Sequence, residues 1–371
     1  MKTENWKKVR LGDILLIQKK SKIKASDGIE NGIYPFFTCS NDIVRTYNSA
    51  QYKGPALIFG TGGKASVHFC DTEFSTSTDC LTYYPVSSEI NLDLVNQYIQ
   101  SNIYLLENGF KGAGLKHVSR DYIANIEINL PDIKTQNCIV QKLNKAKNII
   151  SNSKKLLTKY DTLIKSRFIE MFGDIIQNTK NWELKSFTEI AKSRLGKMLD
   201  SKKQTGKEKY PYLANFNVQW FRFNLENLNE MDFSEADRIE FALKDGDLLV
   251  CEGGEVGRCA VWHNQIENCF FQKAVHRVRL NMDLVHPDYM AYWFKFRSDF
   301  NSFDDIVGSK ATIAHLTGEK LKLLQIPVPP LSLQNDFASF VQQIDKSKFT
   351  VQKSLEKAET LYKSLMQQYF A

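Results

Sequence analysis

Two glycine-rich loops follow apolar runs at comparable places in the chain, GTGGKASVH at 60–68 and EGGEVGRCAVW at 252–262. Glycine lets backbone approach a phosphate or a DNA groove closely, and Lys64, Ser66 and Arg258 stand on or beside these loops. Neither is a nucleotide loop of the GxxxxGK[ST] type, because Gly63-Lys64 is followed by Ala65. A tight hairpin is the structural alternative. A second pair, GAGLKHVSR at 112–120 and GSKATIAHLT at 308–317, sets Lys116, Arg120, Lys310 and Thr312 among small residues, with a repeated histidine, His117 and His315. Such segments suit backbone contact or base-edge readout, or else the histidines cap the loop before the last strand of each block. The stretch from Lys192 to Lys209, which includes Arg194 and Lys197, is the densest basic run outside the helices: an arm gripping phosphates or a mobile surface loop. Behind it, Asn215 and Asn217 of YPYLANFNV have the amide chemistry that reads adenine edges, whereas the aromatics of QWFRF read as core.

Catalytic patterns are missing. The chain has no NPPY or DPPY loop for amino-methylation of a base, no nucleophile elbow and no HExxH. Cys251, Cys259, His263 and Cys269 are irregularly spaced, which argues against zinc, and the seven cysteines include no CxxC pair. They read as reduced and mostly structural. No stretch reads as a membrane span or a signal peptide, so the expected location is cytoplasmic. These absences favour a binding protein with no metal or cofactor of its own.

The elements that position the loops follow from an internal repeat. Adding 198 to residues 117–172 matches His117 to His315, Pro131 to Pro329, Gln136 to Gln334 and Phe172 to Phe370 without a gap. Near the start the offset is 176, from Trp6 and Ile14 to Trp182 and Ile190, and Gly54 with Gly246 suggests 192 in between. The plan is a block, a spacer, a second block and a second spacer, with boundaries at 1–130, 131–178, 179–328 and 329–371. The blocks are rich in short apolar runs broken by Gly, Asn, Asp and Ser, and read as strand-rich mixed domains.

The spacers read as long helices. Ile139, Leu143, Ala146, Ile150, Ser153, Leu157, Tyr160 and Ile164 alternate steps of four and three, and Phe337 through Tyr369 repeat the pattern. Two such seams in one register predict an antiparallel intramolecular pair, with Ser153 and Lys348 as polar positions that set register at some cost in stability. The fold class is therefore α+β, two mixed blocks joined by two long antiparallel coiled-coil helices with pseudo-twofold symmetry. Of the net charge of +7, most lies on the first spacer, where residues 131–173 hold nine basic and three acidic groups. That face is either solvated or meets phosphates or an acidic partner.

With IEINLPDIKTQ and LLQIPVPPLSLQ, GDLLVCEGGEVGRCAVW, FQKAVHRVRL and the spacer endings LIKSRFIEMFG and LYKSLMQQYF, the chain resembles the specificity subunits of type I restriction-modification systems. The resemblance implies that each block reads one half of a split DNA target and that the helices act as a ruler docking two methyltransferase subunits. Restriction subunits gather around that core, and S-adenosylmethionine, ATP and magnesium belong to the partners. A spacer of about 35 residues would span roughly 50 Å, which leaves an unread gap of about 5 to 8 base pairs. The first block departs from the pattern, with IYPFFTCSN where a full counterpart of YPYLANFNV is missing. The other reading is a self-sufficient DNA-modifying enzyme whose motif goes unrecognised.

Overall fold

The structure, a computed structural model, describes residues 6–42, 45–200, 204–300, 303 and 315–370. The chain divides into two compact units, residues 1–155 with 351–371 and residues 156–350. Each combines one block with a portion of both spacer helices.

In the first unit the strands Leu15–Ile17, Cys80–Pro85, Ala56–Gly60 and Ser66–Cys70 form an antiparallel sheet in that spatial order. The run Ala56–Gly60 is buried along its whole length because both faces of the sheet are covered. Leu57 and Phe59 join a core with the helix Leu92–Ser101, while Ala56 and Ile58 join Phe37 and Phe74 on the other side. Those last two belong to a second small sheet, in which Tyr34–Phe37 runs parallel to Glu73–Thr76. The second unit repeats the scheme. Ala191–Leu195, Val275–Leu280, Leu248–Cys251 and Cys259–Val261 form its sheet, and Lys209–Leu213 runs parallel to Phe270–Phe271. Leu248 and Val250 face the helix Pro287–Asp299, and Leu249 and Cys251 face Leu213 and Phe271.

Strand pairing sharpens the repeat. Gly60 lies opposite Cys80 as Cys251 lies opposite Val275, so the central strands correspond at an offset of 191 and not the 192 suggested by Gly54 and Gly246. Ladder register decides the matter, because a single glycine in a turn carries no register. The parallel pairings also make IYPFFTCSN the true counterpart of YPYLANFNV, since Phe36 and Phe37 occupy the places of Tyr212 and Leu213. Tyr34, Pro35 and Asn41 match Tyr210, Pro211 and Asn217 at this register.

The spacers are the helices Ile133–Phe172 and Leu331–Phe370, 40 residues each. Every predicted seam position is buried or half-buried. The helices run antiparallel: in the first unit Lys154 pairs with Glu359 at 3.0 Å, and in the second the rings of Phe168 and Phe337 lie 5.4 Å apart. Lys348, expected to cost stability, reaches Asp161 on the opposite helix at 2.7 Å and so has a partner. At the start of each spacer one buried glutamine holds three backbone groups. Gln136 accepts from the Asn91 N–H at 2.8 Å and donates to the carbonyls of Glu89 and Pro131. Gln334 accepts from His286 at 2.8 Å and donates to Leu284 and Pro329. Backbone groups that a helix start would orphan are satisfied twice by the same device.

Burial in the second unit pushes the Asp288 carboxyl above the usual carboxylate range, only partly countered by His286 beside it. A group whose pKa is raised by folding stabilises the fold while protonated and loses that contribution as pH rises through the raised value. Asp288→Asn should therefore stabilise this unit at neutral pH, and thermal unfolding should show the gain shrinking as pH falls through the raised value and vanishing below the ordinary carboxylate value of 3.8.

Candidate nucleic-acid interface

In each unit the parallel strand, the glycine turn and the histidine segment meet in one junction. In the first, the Thr61 N–H donates to the Asp79 carbonyl at 2.8 Å and the Val118 N–H donates to the Thr61 carbonyl at 3.1 Å. In the second, Glu252 donates to Ala274 at 2.9 Å and Leu316 donates to Glu252 at 2.7 Å. The adjoining crossings match as well, Ser77 to Phe37 at 2.8 Å and Gln272 to Leu213 at 2.9 Å. The glycine turns begin with Gly62 and Gly253, where an added Cβ would press on the ring of His117 or His315 respectively. Gly63 and Gly254 follow with φ of +78° and +82°, conformations that other residues rarely adopt. The histidines therefore stand against the turn backbone, and the His117 ring also meets the Thr61 carbonyl at 3.2 Å.

The second residue after each parallel strand clamps the turn. In the second unit the Asn215 amide donates to the Gly253 carbonyl at 2.8 Å, and Arg258 donates to both the backbone and side-chain oxygens of Asn215. In the first unit Cys39 takes that place, its Sγ 3.4 Å from the Gly62 N–H and 2.9 Å from the Asp79 carbonyl oxygen. A hydrogen bond from the Cys80 thiol holds the Cys39 thiol down to about 6, while the Cys80 thiol is pushed up. Sequence reading missed Cys39, although the offset of 176 and the shared Tyr-Pro of Tyr34-Pro35 and Tyr210-Pro211 lead from it to Asn215.

The predicted contact residues divide into three groups. Lys64, Lys116, His117 and Arg120 are exposed on the first unit's junction or close to it, and Lys64 and Lys116 make no ion pair among the described residues. His315 is exposed in the second unit, and Arg194 is surface-placed but ion-paired with Glu240. The others serve the fold. Ser66 is only 1% exposed and points into the sheet across from Gly60. Lys197 is bound to Asp237 and to the Asp232 carbonyl, both at 2.6 Å. Asn217 is fully buried and satisfies the backbone of Ala214 and Asn224. Asn215 and Arg258 are half-buried and occupied by each other. Burial seals Ser66 and Asn217 away from any contact surface, the ion pair with Asp237 engages Lys197, and Arg258 acts as a brace. Lys310 and Thr312 lie outside the described residues. Among those residues no cluster of three or more His, Cys, Asp or Glu is placed to hold a metal ion, and no helix is long and apolar enough to cross a membrane.

Two related mixed blocks on paired helices, each presenting the same glycine turn, define a doubled recognition scaffold. The type I restriction modification DNA specificity domain matches residues 3–159 and again 179–359, and the chain belongs to this family. The EcoDI specificity subunit of a type I restriction enzyme of Escherichia coli is 20% identical over 401 residues, covering 99% of this chain and 87% of the relative. The EcoKI specificity subunit of the same species is 22% identical over 277 residues, covering 70% and 59%. The solved S subunit of the type I restriction-modification system of M. genitalium superposes with a TM-score of 0.71 at 14% identity, covering 99% of this chain and 96% of that one, a likeness of fold. The chain is thus a DNA-recognition subunit and not itself an enzyme, and the reading as a self-sufficient modifying enzyme is not favoured.

Proposed function

We propose that each block, 1–130 and 179–328, reads one half of a bipartite DNA target at its glycine-turn junction. The helical segments 131–178 and 329–371 hold two methyltransferase subunits, around which the restriction subunits assemble. The observation that supports this most is the junction built twice on the same backbone crossings, on a chain of the DNA specificity family. Duplication of a reader within one chain suits a target with two separated halves. In this reading Lys64, Lys116 and Arg120 meet phosphates, and His117 and His315 stand where base edges pass. S-adenosylmethionine, ATP and magnesium act in the partner subunits, and the complex works in the cytoplasm, where its DNA is.

Lys64→Ala and Lys116→Ala should each weaken DNA binding by the complete complex and lower the slope of log affinity against log salt by up to about one unit. Assembly with the methyltransferase should persist. Unaltered affinity and salt slope in both variants would place the contact surface elsewhere on the blocks.

Cys39 offers a second probe that leaves the sequence untouched. Half-buried and drawn down by the Cys80 thiol, the Cys39 thiol should react with iodoacetamide and slow as pH falls. Target DNA should protect it, whereas the exposed Cys138 on the first spacer helix should label equally with and without DNA. Peptide mass mapping reads both sites at once.

A further inference from the structure

Phe216 is 54% exposed at the middle of the 3₁₀ turn Asn215–Asn217, where both neighbours are locked. Asn215 is tied to Gly253 and Arg258, and Asn217 is fully buried with its amide satisfied on both sides. The Phe216 carbonyl itself accepts from Gln219 at 2.8 Å. Three consecutive residues are anchored, so the backbone cannot turn the ring inward, and a large apolar side chain stays in water beside the glycine turn.

The repeat indicates which partner that ring faces. In the first unit the corresponding position is Ser40, and the same junction is rimmed by the exposed Lys64 and Lys116, which make no ion pair among the described residues. A face with free cations at its rim suits a polyanion, and the matching face of the second unit carries Phe216. A charged or amide group reads donors and acceptors on base edges, whereas a phenyl ring reads the one apolar feature of the major groove, the thymine methyl.

Resting on the reading of these junctions as the DNA-facing surface, we infer that Phe216 determines specificity in the second block by apolar contact with a thymine methyl in its half of the target. The first block, with Ser40, lacks this element. The two halves are therefore read by different chemistry.

The test is target selection by the complete complex from DNA randomised in both halves, using the wild type, Phe216→Ser and Phe216→Leu. The wild type should require an A·T pair at one position of the second half. Phe216→Ser should relax that position alone, and Phe216→Leu should keep part of the preference. Deoxyuridine in place of that thymine should cost the wild type about fourfold in affinity, the worth of one methyl group, and cost Phe216→Ser nothing. Salt dependence should be unchanged, because no charge is removed. Unaltered selection by Phe216→Ser, an equal loss on thymine and deoxyuridine, or a change confined to the first half would overturn the inference. If Phe216→Ser does not assemble, the Phe216→Leu selection and the deoxyuridine comparison on the wild type decide it. Weakened binding by Lys64→Ala and Lys116→Ala alongside an indifferent Phe216→Ser would sink this inference while leaving the junction reading intact. Indifference of all three would remove both.

Discussion

Replacing residues 180–325 with the corresponding block of another family member is expected to change one half of the DNA target completely and leave the other half unaltered. Each block has its own cores and its own junction, and the glycine turn, the parallel strand and the histidine segment of the second block all fall inside the exchanged stretch. Base readout is local to the side chains that reach the groove, while phosphate contacts only position. The exchange must preserve the apolar residues that meet the spacers, chiefly Tyr289, Tyr292 and Phe296, which pack around Phe168 and Phe337. Mapping methylated bases genome-wide with the parent and the exchanged subunit measures the outcome. A change in both halves would show that the blocks do not read independently.

The second large effect concerns the last phenylalanine of each spacer. Phe172 is fully buried, with its ring 4.8 Å from Tyr289 and 5.4 Å from Phe337, and its carbonyl accepts from the Trp182 indole at 2.9 Å. Its counterpart Phe370 is buried against Tyr98 in the first unit, with its carbonyl accepting from Asn102 at 3.0 Å. Truncating a buried phenylalanine to alanine costs about 3 to 5 kcal/mol, since the transfer energy is lost and a cavity remains. Phe172→Ala should therefore loosen the second unit and Phe370→Ala the first, although Phe370 is the chain's penultimate residue and the first unit's strands begin at Lys7. Amide hydrogen exchange resolves the two. Faster exchange in 183–328 for Phe172→Ala and in 7–130 for Phe370→Ala is expected, and the reverse assignment would contradict the packing. Each block is thus completed by a helix end contributed from the other repeat.

The repeat, the two spacer helices, their shared seam and the strand-rich blocks were legible in the amino-acid sequence because they rest on periodicity. Apolar positions at steps of four and three show themselves whatever surrounds them, and the pairing of Gln136 with Gln334 and of Phe172 with Phe370 survives at a constant offset. The location of the junctions was legible for the same reason, through paired glycine turns and paired histidines. Which side chains remain free there was not. Lys197 has the composition of a phosphate contact and Asn217 that of a base reader, yet one is held by Asp237 and the other is sealed beneath its own turn. Cys39 stands in the place of Asn215 with a thiol where the other block has an amide, and Phe216, which no spacing singles out, is left in solvent because its two neighbours are pinned. Periodic burial is written along the chain, residue by residue. The partner that satisfies a given polar group, and the exposure that remains once its neighbours are tied down, depend on residues tens of positions away and exist only in the folded arrangement.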